Sequence, residues 1–277
     1  MDRNGNWTMN IKKFNMNQIK DDSIVVMIGK RNTGKSVLIK DLLYHKKDIP
    51  IATAISPTDI ANKFYSTFIP PMFVHPEYDP SILKKMISRQ KKLTKRINNG
   101  EKDIDRRTVF IMDDCMYDSK GWVNDKYLKY LFYNGRHTGF FYVLALQYAM
   151  GIPPQLRTQI DYVFILRENV IANRKRLYEQ YAGFIPTFEM FCRVMDQCTE
   201  NFECLVIHNG SKSNKIEDQI FWYKADLHPD FTMCPREIWD YSEKHYQEGD
   251  SLSEDEDNIQ SYQKSKKKGP YIRVRKT

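Results

Sequence analysis

Short, unbroken apolar runs alternate with longer amphipathic ones along most of this chain. After Ser23, the run SIVVMIG (23–29) is wholly apolar, rich in β-branched residues, and ends on glycine. Such a run predicts a strand buried on both faces. IATAIS (51–56), TVFIMDD (108–114), FFYVLALQ (140–147), YVFILR (162–167), CLVIHN (204–209) and IFWYKA (220–225) predict further strands. Helices are expected between them. SVLIKDLLYH (36–45) places Val37, Leu38, Leu42 and Tyr44 partly at helical spacing. PSILKKMISRQKKLTKRINNG (80–100) is the clearest helix, with Ile82, Leu83, Met86, Ile87, Leu93 and Ile97 on one face. Pro80 and Ser81 suit its start, and Asn98-Asn99-Gly100 its end. KYLKYLFYNGRH (126–137) reads as helical, and 171–198 as two helices broken near Gly183-Phe184-Ile185-Pro186. Strands alternating with helices predict an α/β domain on a mostly parallel central sheet flanked by helices.

The apolar pattern also sets expected boundaries. Residues 1–22 are polar and Asn-rich, with Trp7, Ile11 and Phe14 as anchors, and read as an N-terminal extension. Residues 23–247 read as the folded domain. The stretch 248–277 is poor in apolar residues, runs through SEDEDN to KSKKKGPYIRVRK, and is expected to be a disordered charged tail. The longest apolar stretch, FFYVLALQYAM (140–150), is about half of what a membrane-spanning helix needs, so no transmembrane segment is expected. The opening MDRNGNWTMN is polar, so no secretory leader is expected either.

Net charge is +8 and the tail is nearly balanced, so the body carries most of the excess. A basic body favours an anionic partner such as nucleic acid, but charge says nothing of fold. The five cysteines are scattered and odd in number, which predicts reduced thiols in an intracellular protein. Cys192, Cys198, Cys204 and His208 follow no usual zinc spacing, and positions six apart on a helix do not share a face.

The chemistry begins where the first strand ends. Gly29-Lys30-Arg31-Asn32-Thr33-Gly34-Lys35-Ser36 matches G-x-x-x-x-G-K-[ST], the P-loop or Walker A motif, in full. Glycines let the backbone curl so that its N–H groups face phosphate oxygens. The following helix N-terminus adds partial positive charge, and the nucleotide-binding stretch runs on to Val37. Lys35 is expected to reach the β- and γ-phosphates, and the Ser36 hydroxyl to ligate Mg²⁺. The strand before and the helix after are the context this motif needs.

A phosphate loop needs a second carboxylate near the metal, and TVFIMDD supplies two at the end of an apolar strand, in the manner of a Walker B motif. Asp113 is expected to hold Mg²⁺, and Asp114 to polarise the attacking water. Gln147 ends the next apolar strand, where an amide can touch the γ-phosphate or that water.

The order P-loop, apolar strand with D-D, then Arg136-His137-Thr138-Gly139 and a strand ending Ala145-Leu146-Gln147 resembles the FtsK–HerA superfamily of DNA-pumping ATPases. FNMNQIKDDSIVVMIGKRNTGKS (14–36), SPTD with FY (56–65), FIMDDCM (110–116) and NGRHTG (134–139) are similar to the genome-packaging ATPases of poxviruses and other nucleocytoplasmic large DNA viruses. The resemblance covers roughly residues 14–225. It implies a RecA-like, additional-strand P-loop core that binds ATP and Mg²⁺ and works on double-stranded DNA without regard to sequence. It implies a ring homo-oligomer, a pentamer or hexamer, with ATP sites between subunits and an arginine contributed by the neighbour. Arg136 stands at the matching position, and Arg157 in PPQLRTQID is second choice. Asp114 departs from the Glu that many relatives carry and is one methylene shorter as a base. A capsid or inner-membrane component of the virion is implied as docking partner. The implied place of work is the host cytoplasm or viral assembly site and then the particle, with the basic tail as a nuclear address.

Between Ser81 and Asn99 lie seven basic residues and no acid. They read either as a solvated face or as contacts to DNA phosphates, from which sequence-independent affinity comes. Three other functions compete. A P-loop small-molecule kinase does not call for a D-D strand end followed by R-x-x-G and a strand ending in Gln. A motor with its own nuclease needs more chain than remains after the core. A basic virion protein using ATP as a structural ligand or switch needs the nucleotide site alone, and intact Lys35, Ser36, Asp113 and Asp114 argue against dead catalysis.

Overall fold

The computed structural model describes residues 9–115 and 124–246. Trp7 and the charged tail from 248 lie outside them. Nine strands form one sheet: β1 (Lys12–Lys13), β2 (Ile24–Ile28), β3 (Ala52–Ile55), β4 (Val74–His75), β5 (Thr108–Asp113), β6 (Phe140–Leu146), β7 (Tyr162–Ile165), β8 (Glu203–His208) and β9 (Ile220–Lys224). Their spatial order is β1-β9-β8-β7-β2-β6-β5-β3-β4. All pairs are parallel except β7 with β8 and β8 with β9. β6 lies between the P-loop strand β2 and the carboxylate strand β5, which is the additional strand the sequence implied.

The central strands are apolar throughout because both faces are covered. Along β2, Ile24, Val26 and Ile28 enter one core while Val25 and Met27 enter the other, the period of two that a pleat imposes. Each fully buried aliphatic side chain contributes about 1.5–3 kcal/mol. The first core is closed by four helices: α3 (Pro80–Asn98), α4 (Lys126–Asn134), α6 (Ile171–Tyr181) and α7 (Phe188–Cys198). The second is closed by α1 (Lys35–Tyr44) through Leu38, Ile39, Leu42 and Leu43, and by aromatics from 64–73 and 231. The short helices α2 (Asp59–Asn62) and α5 (Pro154–Arg157) shape connections, and α8 (Arg236–His245) follows the sheet. Among the described residues no helix is long and apolar enough to cross a membrane.

Helix α3 begins as its sequence directs. Asp79 caps it, accepting from Ser81 N at 2.7 Å, and Pro80 fills the first turn. Leu83, Ile87 and Gln90 form the buried face. Gln90 is buried because its amide serves two backbone acceptors, Arg106 O and Thr138 O. The seven basic residues all lie on the exposed side.

One expectation needs correction. The described part of 1–22 is not an appendage to the domain. Lys12-Lys13 pair with β9 as the sheet's edge strand, and Phe14, Met16 and Ile19 are buried in the second core. Phe14 makes edge contacts with Tyr162, Phe164, Phe221 and Tyr223. Phe14 is one of the anchors the sequence offers; Met16 and Ile19 join it in the core from among polar neighbours after the exposed edge strand.

Candidate active site

Strand register assembles the site. Met27, Ala145 and Asp113 lie in one row across β2, β6 and β5, so the segments that follow emerge together. They are the P-loop, Gln147 and Asp114. This is the carboxyl end of the parallel strands, where open α/β sheets place ligands.

Gly29 leaves β2 with its N–H donating to Leu146 O at 3.0 Å. A Cβ there would stand 2.7 Å from Thr33 Oγ1 and 2.9 Å from Leu166 Cβ, so only glycine fits. Arg31 and Asn32 are exposed at the loop's tip, and Asn32 adopts a left-handed φ of 62°. Thr33 Oγ1 donates to Lys30 O at 2.7 Å and closes the loop on itself. Lys30 Nζ pairs with Glu168 Oε1 at 2.6 Å, tying the loop to the segment after β7. Gly34 caps α1 with a φ of 94°, which aims the first amides of the helix into the loop. Ser36 and Val37 stand exposed on the first turn.

Lys35 is buried and meets the carboxylates directly. Its Nζ donates to Asp114 Oδ1 at 3.0 Å and lies 3.8 Å from Asp113 Oδ1. Gln147 Nε2 donates to the same Asp114 oxygen at 2.8 Å. Asp114 reaches both from a left-handed φ of 55° immediately after β5. The backbone is bent there, where a side chain must be aimed. The structure therefore brings Gly29 to Val37, Asp113, Asp114 and Gln147 together.

Two neighbours had no role in the sequence reading. Tyr65, fully buried, donates from its hydroxyl to Asp113 Oδ2 at 3.0 Å. Burial first, and the Asp113 charge second, hold the Tyr65 phenol far above its ordinary value, so it stays a donor. Cys115 lies beside Asp113, and its thiol is pushed up to about 12, chiefly by burial and then by Asp113. The pair FY at 64–65 carried a family likeness, but nothing local shows that Tyr65 reaches across 48 residues to Asp113.

Burial pushes the Asp113 carboxyl above the ordinary carboxylate range. Lys35 opposes that shift, and the Asp114 charge adds to it. Among the described residues, Asp113 Oδ1 is the buried side-chain polar atom without a hydrogen-bond partner. A buried carboxylate oxygen that has Lys35 at 3.8 Å but no hydrogen bond fits a hard divalent cation such as Mg²⁺. The curled loop, the helix N-terminus and Lys35 fit polyphosphate.

The two arginines lie elsewhere. Arg136 precedes β6 and Gln147 follows it, so a strand of seven residues, roughly 20 Å, separates them within one chain. Arg136 pairs there with Asp161 at 3.2 Å. Arg157 donates to Ile152 O at 3.2 Å and Gln180 Oε1 at 2.5 Å. Neither joins the cluster of its own chain.

Comparison with known proteins gives a consistent picture. The family model described as Poxvirus A32 protein matches residues 11–210. Over 239 residues the chain is 37% identical to uncharacterized protein L437 of Acanthamoeba polyphaga mimivirus, covering 85% of this chain and 84% of that one. Over 204 residues it is 44% identical to uncharacterized protein 088R of Invertebrate iridescent virus 3, covering 73% and 76%. Among solved structures, the genome packaging NTPase B204 of Sulfolobus turreted icosahedral virus 2, in complex with AMPPCP, matches with a TM-score of 0.53. Identity is 18%, over 75% of this chain and all of that one. The pCW3 conjugation coupling protein TcpA, with ATPγS, matches at 0.54 and 15% identity, over 80% and 64%. At such identities the structural likeness shows the fold alone, that of RecA-like P-loop ATPases.

Proposed function

Since the chain belongs to the poxvirus A32 protein family, we propose that it is an ATPase that drives double-stranded DNA into a viral particle. It would work as a ring oligomer with ATP sites between subunits. The observation that carries this reading is buried Lys35 set against Asp113 and Asp114, with Gln147 on the same Asp114 oxygen, at the mouth of a complete P-loop. The structural likeness to a genome packaging NTPase supports it.

The chain's own groups divide the work. Backbone amides from Gly29 to Ser36 bind the phosphates. Lys35 exchanges Asp114 for β- and γ-phosphate oxygens when ATP enters. That exchange frees Asp114 Oδ1 to accept a proton from the attacking water, while Gln147 keeps the carboxylate oriented. Ser36 and Asp113 would hold Mg²⁺, which when bound neutralises charge on the β- and γ-oxygens. Arg136 of one subunit is the candidate finger for its neighbour's site, since in its own chain it is a strand's length away.

DNA contact is assigned to the exposed face of α3, where Lys84, Lys85, Lys91 and Lys92 present charge from a helix that carries no acid between Ser81 and Asn98. A motor that moves along any sequence reads phosphates and not bases. A capsid or inner-membrane component is the proposed docking partner, and the viral assembly site in the host cytoplasm the proposed location.

Phosphate release with and without long double-stranded DNA tests the reading. We expect DNA to stimulate turnover, Lys35→Ala to abolish it, and reversal of the four lysines to glutamate to remove only the stimulation. Turnover indifferent to DNA would point to a kinase. Tight ATP binding with no turnover, in an assembled ring on DNA, would point to a structural switch.

A further inference from the structure

The turn that leads into β8 carries an aromatic side chain that the core does not use. β8 runs antiparallel to β7, so it begins at the end of the sheet where β2 gives way to the P-loop. The two residues before it, Asn201 and Phe202, adopt left-handed φ angles of 49° and 64°. That region is unfavourable for residues with a Cβ, and for a bulky residue it is an outlier that points to function. Phe202 is 67% exposed. Yet it lies against the last glycine of the P-loop. Its Cδ1 and Cβ are 3.4 and 3.6 Å from where a Cβ on Gly34 would stand. One turn further along α1, Val37 is 42% exposed. Two exposed apolar side chains thus lie at the end of the loop and on the helical turn that follows it, where neither gains from core packing.

The direction of the nucleotide gives them a use. The γ-phosphate end must face Asp113, Asp114 and Gln147, which hold the catalytic side of the loop. The β-phosphate sits at the amides of Gly34 to Ser36. A nucleoside bound in that direction would leave over the first turn of α1, which carries Val37 and begins at Gly34, against which Phe202 lies.

We infer that Phe202 is the platform on which the base of the bound nucleoside triphosphate stacks, with Val37 beside it. The inference rests on the P-loop's being an ATP site. An exposed phenyl ring gains by being covered, and every base offers a π-face. Stacking alone does not choose adenine over guanine, so Phe202 supplies affinity for a nucleoside and not identity of the base. The strained turn fixes the ring before ligand arrives, which lowers the ordering cost of binding.

The experiment compares ATP with inorganic tripolyphosphate, which has the phosphates and no base. Dissociation constants are measured in Mg²⁺ for the full-length protein, Phe202→Ala and Phe202→Trp, without turnover. We expect Phe202→Ala to weaken ATP by about 10-fold and to leave tripolyphosphate unchanged. Phe202→Trp should restore ATP binding, and its added indole fluorescence should respond to ATP but not to tripolyphosphate. Equal losses for both ligands would overturn the inference and make Phe202 a support for the loop's shape. Unchanged ATP affinity in Phe202→Ala would overturn it as well. If the unaltered protein bound tripolyphosphate but not ATP, or neither, the nucleotide-site reading itself would fall and the platform with it.

Discussion

Charged side chains gather at both ends of the sheet, each with one carboxylate more than its cations, but the carboxylates are fully hydrogen-bonded at one end and not at the other. At the N-terminal end, Arg107 donates to Asp105 at 2.7 Å, Asp21 at 2.6 Å and Asp48 at 2.8 Å. Lys46 adds a second cation to Asp21 at 2.7 Å. Burial raises the Asp21 carboxyl, but hydrogen bonds from Lys46 and Arg107 outweigh it and hold it below the ordinary range. Hydrogen bonds from Arg107 do the same to Asp105. At the carboxyl end, Lys35 faces both Asp113 and Asp114, one Asp113 oxygen lacks a hydrogen bond, and burial drives Asp113 upward. A saturated cluster holds a fold together. One that leaves a buried carboxylate oxygen without a hydrogen bond costs stability and is tolerated where a ligand's cation will complete it.

The contrast is sharpest at Asp113. A carboxyl whose pKa is raised on folding binds its proton more tightly in the native state, so its ionised form weakens the fold at neutral pH. Asp113→Asn should therefore lower phosphate release by about 10²–10³-fold while raising the melting temperature of the nucleotide-free protein by about 2–4 °C. Calorimetry beside the turnover assay decides it. A melting temperature that falls would mean that Asp113 is already adequately paired, and the contrast between the two ends would vanish.

Arg107→Ala makes the converse prediction. It strips one guanidinium from three carboxylates and should cost about 1–3 kcal/mol of stability, read from urea unfolding, with turnover per folded molecule unchanged. Sign follows from the lowered carboxyls. Their contribution is present above the unfolded-state pKa and is lost as pH falls through the folded value. The difference between Arg107→Ala and the unaltered protein should therefore shrink on acidification. A lasting loss of turnover in folded Arg107→Ala would tie the N-terminal end to catalysis and break the division.

Tyr65→Phe tests how Asp113 is positioned. Removing the hydroxyl takes one hydrogen bond to a charged acceptor, worth about 1.5–3 kcal/mol, from Asp113 Oδ2. At limiting Mg²⁺ the turnover should fall by roughly 10- to 100-fold, and saturating Mg²⁺ should restore it. A loss that Mg²⁺ does not repair would assign Tyr65 to the fold alone.

What the sequence disclosed follows the distance between cooperating residues. The P-loop is contiguous, so Gly29 to Ser36 could be read directly, and the apolar runs announced β2, β5 and β6. Asp113, Asp114 and Gln147 could be placed because each ends such a run. Tyr65 and Glu168 escaped notice because they join the site from 48 and 138 residues away in sequence. Phe202 escaped because nothing in NFE announces two left-handed residues. In residues 12–19 the anchor Phe14 could be picked out, while Met16 and Ile19 are diluted by Lys12, Lys13, Asn15 and Asn17, so the edge strand and its core contacts are not announced. The helix α8 and the buried hub at Asp41 are tertiary features of the same kind. Asp41 accepts from Tyr223 Oη at 2.6 Å and pairs with His228 Nε2 at 2.6 Å, far from it in the chain.

The smallest expected effect concerns the pair that stands between the two kinds of cluster. Glu168 borders the site, yet it is well supplied. Lys30 reaches Oε1 at 2.6 Å, Val170 N donates to the same oxygen at 2.7 Å, and Asn173 Nδ2 to the other at 3.0 Å. Burial raises its carboxyl, but these hydrogen bonds, Lys30 foremost, leave it below the ordinary range. By the same sign, the pair stabilises the fold above the unfolded-state carboxylate pKa and stops doing so as pH falls through the lowered value. Lys30 is 43% exposed, so solvent screens the interaction and limits it to about 1 kcal/mol or less. Glu168→Gln should thus lower stability by that amount near neutrality and by nothing in acid, as read from paired melts across pH. A loss that persists in acid would assign the effect to the amide's geometry at Val170 and Asn173. Glu168 would then belong with the packing around the loop and not with the hydrogen-bonded carboxylates of the N-terminal end.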